Sequence, residues 1–194
     1  TGRVQQKART RRALTDAARE LLAQGVAPTV ERAAEAASVS RTTAYRYFPS
    51  QWALVAAAFP HVDERSLLGP DPPSDPLKRL QTVAKALTRR VLTHEAEMRA
   101  VLKLSLEGIR PPELPMHRGL RIDWVEDALR PLAQQLEAAE LRRLAYGISA
   151  NLGIEAFVWL TDIAQLPREE AASVMRANAS GLLKSALAEV PDDR

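Results

Sequence analysis

Apolar residues recur at helical spacing through most of the chain. Leu14, Ala17, Ala18, Leu21 and Leu22 fall at i, i+3, i+4, i+7 and i+8 and mark one stripe of an amphipathic helix over residues 10–24. Gly25 follows as a stop, where a left-handed cap costs little. Val30, Ala33, Ala34 and Ala37 give a second stripe and predict a helix over 29–37, with Thr29 as its N-cap and Glu31 near its positive end. The residues of that stripe are small, so a neighbouring helix can approach closely. Ser38 and Val39 form a tight connection. Ser40 caps a third helix that ends at Pro49, and Ser50 caps a fourth that carries Leu54, Val55, Ala58 and Phe59 up to Pro60.

The segment from Gly69 to Pro76 has the strongest linker composition in the chain. Beyond it the spacing predicts helices over 76–94, 96–108, 118–138, 140–164 and 167–189, with the proline-rich run from Arg110 to Pro115 breaking the second from the third. No alternating strand pattern and no repeat is present. The expected fold is all-α: a three-helix helix-turn-helix head over residues 1–49 and a C-terminal antiparallel helical bundle over 50–194 that dimerises.

Charge sharpens this division. Residues 1–48 hold nine Lys/Arg against four Asp/Glu, whereas residues 49–194 hold eighteen against twenty. The excess positive charge lies wholly in the head, as a nucleic-acid-binding module requires, although a solvated basic tail has the same composition. Hydrophobic residues at 46% and charged residues at 26% describe a chain able to bury a core. The absence of cysteine excludes disulfides, zinc–thiolate sites and cysteine nucleophiles, and suits a cytoplasmic protein. No signal-peptide pattern and no membrane-length apolar run is visible, so no membrane partner is expected.

The third helix carries the candidate chemistry. Ala44, Tyr47 and Phe48 can share its inward face, while Arg41, Thr42, Tyr45 and Arg46 share another. Arginine pairs with guanine edges in the major groove, threonine meets a base edge or a thymine methyl, and tyrosine hydroxyls contact phosphate. Ser40, Thr43, Tyr47 and the N-cap Thr29 are grouped with this surface as DNA-binding candidates. So are Arg9, Arg11 and Arg12, which fall before or within the first turn of the first predicted helix. Cations there oppose the helix dipole, and phosphate contact explains them better. The competing possibility is a plain helical hairpin with a polar outer face.

Residues 11–59 closely resemble the DNA-binding domain of the TetR family of repressors, on the run from Ala17 to Gly25 and the run from Thr29 to Ser50 with its Val39-Ser40 and Tyr45-Arg46-Tyr47-Phe48 spacing. The resemblance implies a homodimer, a palindromic double-stranded DNA operator and a ligand pocket in the helical body. It also implies that Thr29, Arg41, Thr42, Thr43, Tyr45 and Tyr47 lie at or near DNA. Ser38 and Thr42 stand where glycine is common in the family, and Gln51 stands where a lysine often meets phosphate. Ser38 is expected to strain the turn slightly.

In the body, residues 141–163 and 167–189 are apolar on more than one stripe. One stripe can serve the core and another a partner subunit, and Ile148, Leu152, Val174 and Leu182 are the candidates for a dimer interface. A helix buried wholly inside one chain has the same pattern. The bulky residues Met98, Leu102, Trp124, Phe157 and Trp159 are candidates for lining an effector pocket, with a lipophilic small molecule as the expected ligand. His94 and His117 lack metal-ligand spacing, and no cofactor is expected. Carboxylate pairs such as Glu126 and Asp127 fit solvated helix faces, and no phosphate loop or nucleophile motif argues for an enzyme. The expected function is a ligand-relieved transcriptional repressor. The alternatives are a DNA-binding regulator or architectural protein without a sensor, and a helical enzyme or lipid-binding module with a basic head.

Overall fold

The computed structural model describes residues 2–58, 65–107 and 120–188, and all regular structure among them is helical. The elements in chain order are α1 (Gly2–Ala23), α2 (Val30–Ala36), α3 (Arg41–Tyr47), α4 (Gln51–Ala58), α5 (Pro76–Thr93), α6 (Glu95–Glu107), α7 (Leu120–Leu129), a 3-10 helix (Arg130–Gln134), α8 (Ala138–Ala150), α9 (Ile154–Val158), a π-helical turn (Trp159–Ile163) and α10 (Arg168–Ala188). They form two compact units: α1–α4 with α6, and α5 with α7–α10. Phe59, Pro60, the Arg110–Pro115 break and His117 lie outside the described residues.

In the first unit α1 packs on α2, α4 and α6, and α2 packs on α3. The core is built mainly of short side chains: Ala17, Ala18, Ala33, Ala34, Ala44, Ala58 and Ala100 join Leu14, Leu22, Val30, Leu54 and Phe48. Trp52 and Val55 of α4 meet Leu104 of α6 in a second small cluster. The N-terminal unit therefore extends beyond the expected boundary at residue 49, because Leu54, Ala58 and Ala100 complete its core.

Both helix ends flanking the head's turns close with the same device. After α1, Gly25 adopts φ 74 and the Val26 N–H reaches back to the Leu21 carbonyl at 2.9 Å. After α2, Ser38 adopts φ 53 and the Val39 N–H reaches the Ala34 carbonyl at 2.8 Å. The expected strain at Ser38 is thus a left-handed backbone carried by a residue with a Cβ. One expectation fails here. Helix α1 begins at Gly2, eight residues before the apolar stripe predicted it, so Arg9, Arg11 and Arg12 lie two turns and more inside it and the helix-dipole argument does not apply to them.

In the second unit α5 packs on α7 and α10, and α8 packs on α7 and α10. Leu80, Val83, Val125, Leu129, Ile148, Leu152, Phe157, Met175 and Leu183 are buried among these helices. The helix predicted over 118–138 ends at Leu129, where Pro131 lacks the N–H an α-helix needs, and continues only as a 3-10 turn. The helix predicted over 140–164 is broken at Asn151–Gly153. Asn151 folds its amide back onto the Gly147 carbonyl at 2.9 Å, and Gly153 starts α9 from an extended backbone. The π turn that follows carries the wide hydrogen bond from the Ala164 N–H to the Trp159 carbonyl at 3.0 Å.

Candidate nucleic-acid interface

Helix α3 is fastened to the head by Ala44, its one buried residue, with Tyr47 and Phe48 packed into the same core. Arg41, Thr42, Tyr45 and Arg46 are exposed, as the sequence pattern divides them. Ser40 caps the helix: its Oγ accepts the Thr43 N–H at 3.3 Å and donates to Thr43 Oγ1 at 2.9 Å. Thr29 caps α2 by accepting the Arg32 N–H at 3.2 Å. Ser40, Thr43 and Thr29 therefore act first as local scaffolding that fixes the starts of α2 and α3. Ser50 caps α4 in the same way, accepting from the Ala53 N–H at 3.2 Å.

The basic residues divide by partner. Arg11 lies over the Phe48 ring at 5.4 Å, which brings α1 to the C-terminal end of α3. Arg46 lies over the ring of its neighbour Tyr47 at 5.9 Å. Arg9 and Arg12 are exposed on α1. Arg19 has a structural role, since it pairs with Asp16 at 2.9 Å and donates to the Ala58 carbonyl at the end of α4.

One contact on this face escapes sequence reasoning. The Tyr45 phenol donates to Glu31 Oε1, joining α3 to the first turn of α2. Accepting that bond holds the Glu31 carboxyl below its ordinary range, and the same bond raises the Tyr45 phenol above its own. The only sequence signal is a carboxylate and a phenol on adjacent helices fourteen residues apart, which no local pattern encodes.

A short amphipathic helix presenting arginine, threonine and tyrosine outward, set behind a second helix across a tight turn, defines a helix-turn-helix DNA-binding head. Residues 14–58 match the family model described as bacterial regulatory proteins, tetR family. Over these residues the head is similar to the helix-turn-helix DNA-binding domain of bacterial tetR-family regulators. No curated protein and no solved structure gives a significant match to it.

The body candidates are not brought together. Phe157 is fully enclosed in the second unit's core, with Arg168 over its ring at 6.0 Å. Trp124 is buried beneath Arg90 at 5.0 Å, and Trp159 is 59% exposed. Met98 and Leu102 are half-buried on α6, in the first unit. None of the five lines the open groove of about 860 Å³ in the second unit, which is bounded by Leu68, Pro70, Pro72, Arg79 and Asp127 among others.

Asp127, expected to be merely solvated, is half-buried and sits in a network that runs from the buried Arg79 to the surface. It accepts from Ser66 Oγ at 2.6 Å and pairs with Arg130 at 3.0 Å and Arg79 at 3.6 Å. Arg79 also donates to the carbonyls of Asp127, Ala128 and Pro73. Two of the dimer candidates are corrected as well. Ile148 and Leu152 are wholly buried within their own chain and present nothing to a partner. Val174 is half-buried and Leu182 is exposed. The outward apolar residues of this region are Tyr146, Trp159, Ile163 and Leu182. Among the described residues no cluster of metal-ligating side chains is present, and no helix is long and apolar enough to cross a membrane.

Proposed function

We propose that this chain is a ligand-responsive transcriptional repressor, not an enzyme, that acts in the cytoplasm as a homodimer on a palindromic operator. The observation that carries the reading is the exposed face of α3: Arg41, Thr42, Tyr45 and Arg46 project from a helix whose single buried residue is Ala44. Arg41 and Thr42, at the start of the helix, are the base readers, while Tyr45, Arg46 and the α1 arginines Arg9, Arg11 and Arg12 serve the phosphates.

Dimerisation is supported by Tyr146, Trp159, Ile163 and Leu182, large apolar side chains left at the surface of α8, the π turn and α10. With two-fold symmetry, each half of the operator receives one α3, with half-sites separated by about one turn of DNA or somewhat more. A small-molecule effector in the body relieves repression by binding the DNA-competent and DNA-incompetent states unequally. A hundredfold loss of DNA affinity requires about 2.7 kcal/mol of such coupling.

Selection of binding sequences from a random double-stranded pool at about 0.15 M salt tests this reading, because nonspecific phosphate binding is suppressed there. An enriched palindrome is the expected outcome. Binding without a consensus would leave an architectural protein, and no binding at all would end the repressor reading.

A further inference from the structure

Tyr45 stands on the exposed face of α3, yet its phenol is already engaged by Glu31. A phenol has one proton to donate. A DNA phosphate that accepts a hydrogen bond from Tyr45 must displace the Glu31 carboxylate, and that carboxylate is then left beside another anion. Glu31 itself sits in the first turn of α2, where the helix dipole favours its charge, so it does not escape the conflict by protonation near neutral pH.

We propose that Glu31 is a positioning residue that attenuates DNA affinity, by occupying the Tyr45 donor that the DNA backbone requires. The proposal rests on α3 being the DNA-facing helix. Free protein keeps the phenol turned toward α2, and each binding event exchanges one acceptor for another. Glu31 thus limits how strongly the basic head holds arbitrary DNA.

The test is a double-mutant cycle on the full chain, read by fluorescence anisotropy with a labelled mixed-sequence duplex at about 0.05 M salt, where phosphate contacts dominate. Glu31→Gln keeps a neutral acceptor but weakens the hold on the phenol. It is expected to bind about fivefold to tenfold more tightly, a coupling within the usual range for contacting residues. Tyr45→Phe is expected to bind more weakly, and in its background most of the Glu31→Gln gain should vanish. Thermal unfolding of each variant near that of the parent excludes a folding cause.

Unchanged or weaker binding by Glu31→Gln overturns the proposal. So does an equal gain in the Tyr45→Phe background, which would mean plain charge repulsion through space. Arg41→Ala separates the two levels of the argument. If Arg41→Ala weakens binding and Tyr45→Phe does not, α3 faces DNA but the phenol is not used, and the proposal alone falls. If neither variant weakens binding, the assignment of α3 as the DNA-facing helix falls with it.

Discussion

The guanidinium of Arg121 occupies the space in which a side chain on Gly153 would begin. A Cβ at Gly153 would lie 1.5 Å from Arg121 Nη1 and 2.1 Å from Glu155 Oε2, and these two groups are paired at 3.0 Å. The backbone of Gly153, at φ −107 and ψ 175, is open to any residue. Gly153→Ala therefore displaces the tips of two flexible side chains and strains no backbone. The expected cost is that of a partly exposed ion pair, about 1 kcal/mol or less, read from the urea midpoint. A loss of several kcal/mol would mean that the Asn151–Gly153 break itself cannot hold an alanine.

Arg79 is predicted to matter far more. It is buried, and its guanidinium serves three carbonyls as well as the Asp127 carboxylate. Arg79→Met leaves those carbonyls without their donor and removes one of the cations facing Asp127. The expected destabilisation is about 3 kcal/mol, the lower end for breaking a buried charged pair, since Ser66 and Arg130 remain on the carboxylate. Denaturant unfolding checks this, and a loss below about 1 kcal/mol would show that water replaces the guanidinium.

Ser38 is the reverse case, a position where a change should help. Its φ of 53 and its place in the same closing device as Gly25 favour a residue without Cβ. Ser38→Gly is expected to stabilise the chain by about 0.5–1 kcal/mol, since relief of left-handed strain exceeds the entropy that glycine adds to the unfolded chain. No rise in midpoint would mean that the turn is already relaxed.

Oligomeric state tests the outward apolar residues. Ile163 is 67% exposed on the π turn beside Trp159, so Ile163→Glu should not disturb the core of a single chain. Sedimentation is expected to find the parent as a dimer and this variant shifted toward monomer, with its helical content intact. Ile148→Ala serves as contrast: it removes a fully buried side chain and should lower stability by about 2–5 kcal/mol.

The Tyr45–Glu31 contact also predicts a pH window. Glu31 has its carboxyl lowered in the fold, so its contribution is present above the ordinary carboxylate value of about 4.3 and is lost as pH falls through the lowered one. Tyr45 has its phenol raised, so its contribution is present below about 10 and is lost as pH rises through the raised value. NMR titration of the Glu31 carboxyl in the parent and in Tyr45→Phe is the direct check. The variant should bring the carboxyl back toward its ordinary range, and an unchanged titration would mean that the contact is not populated in solution.

The head was largely legible before its structure. Thr29, Ser40 and Ser50 cap the helices they were expected to cap, because capping depends on a few adjacent residues. The extension of α1 to Gly2 was not, since residues 2–9 carry no apolar stripe to mark them as helical. In the body, periodicity identifies apolar stripes but does not say which meets the chain's own core. Ile148 and Leu152 look like partner-facing residues in the sequence and are enclosed in the structure, while Trp159 looks like pocket lining and faces outward. The role of Asp127 is hidden for a related reason: its partner Arg79 lies on another helix, 48 residues away. The five residues expected to line a pocket are the least legible part: they are scattered over both units, and none of them borders the groove beside Arg79 and Asp127.

The attachment of α3 through Ala44 has an evolutionary corollary. Four of its seven side chains are exposed, and a single methyl group is its only fully buried anchor. Replacements at Arg41, Thr42, Tyr45 and Arg46 fall among surface changes, which ordinarily alter stability by only about 0.5 kcal/mol. Over evolutionary time the face that α3 presents can thus be rewritten at little cost to the fold, while the alanine-rich frame beneath it has no room for larger side chains.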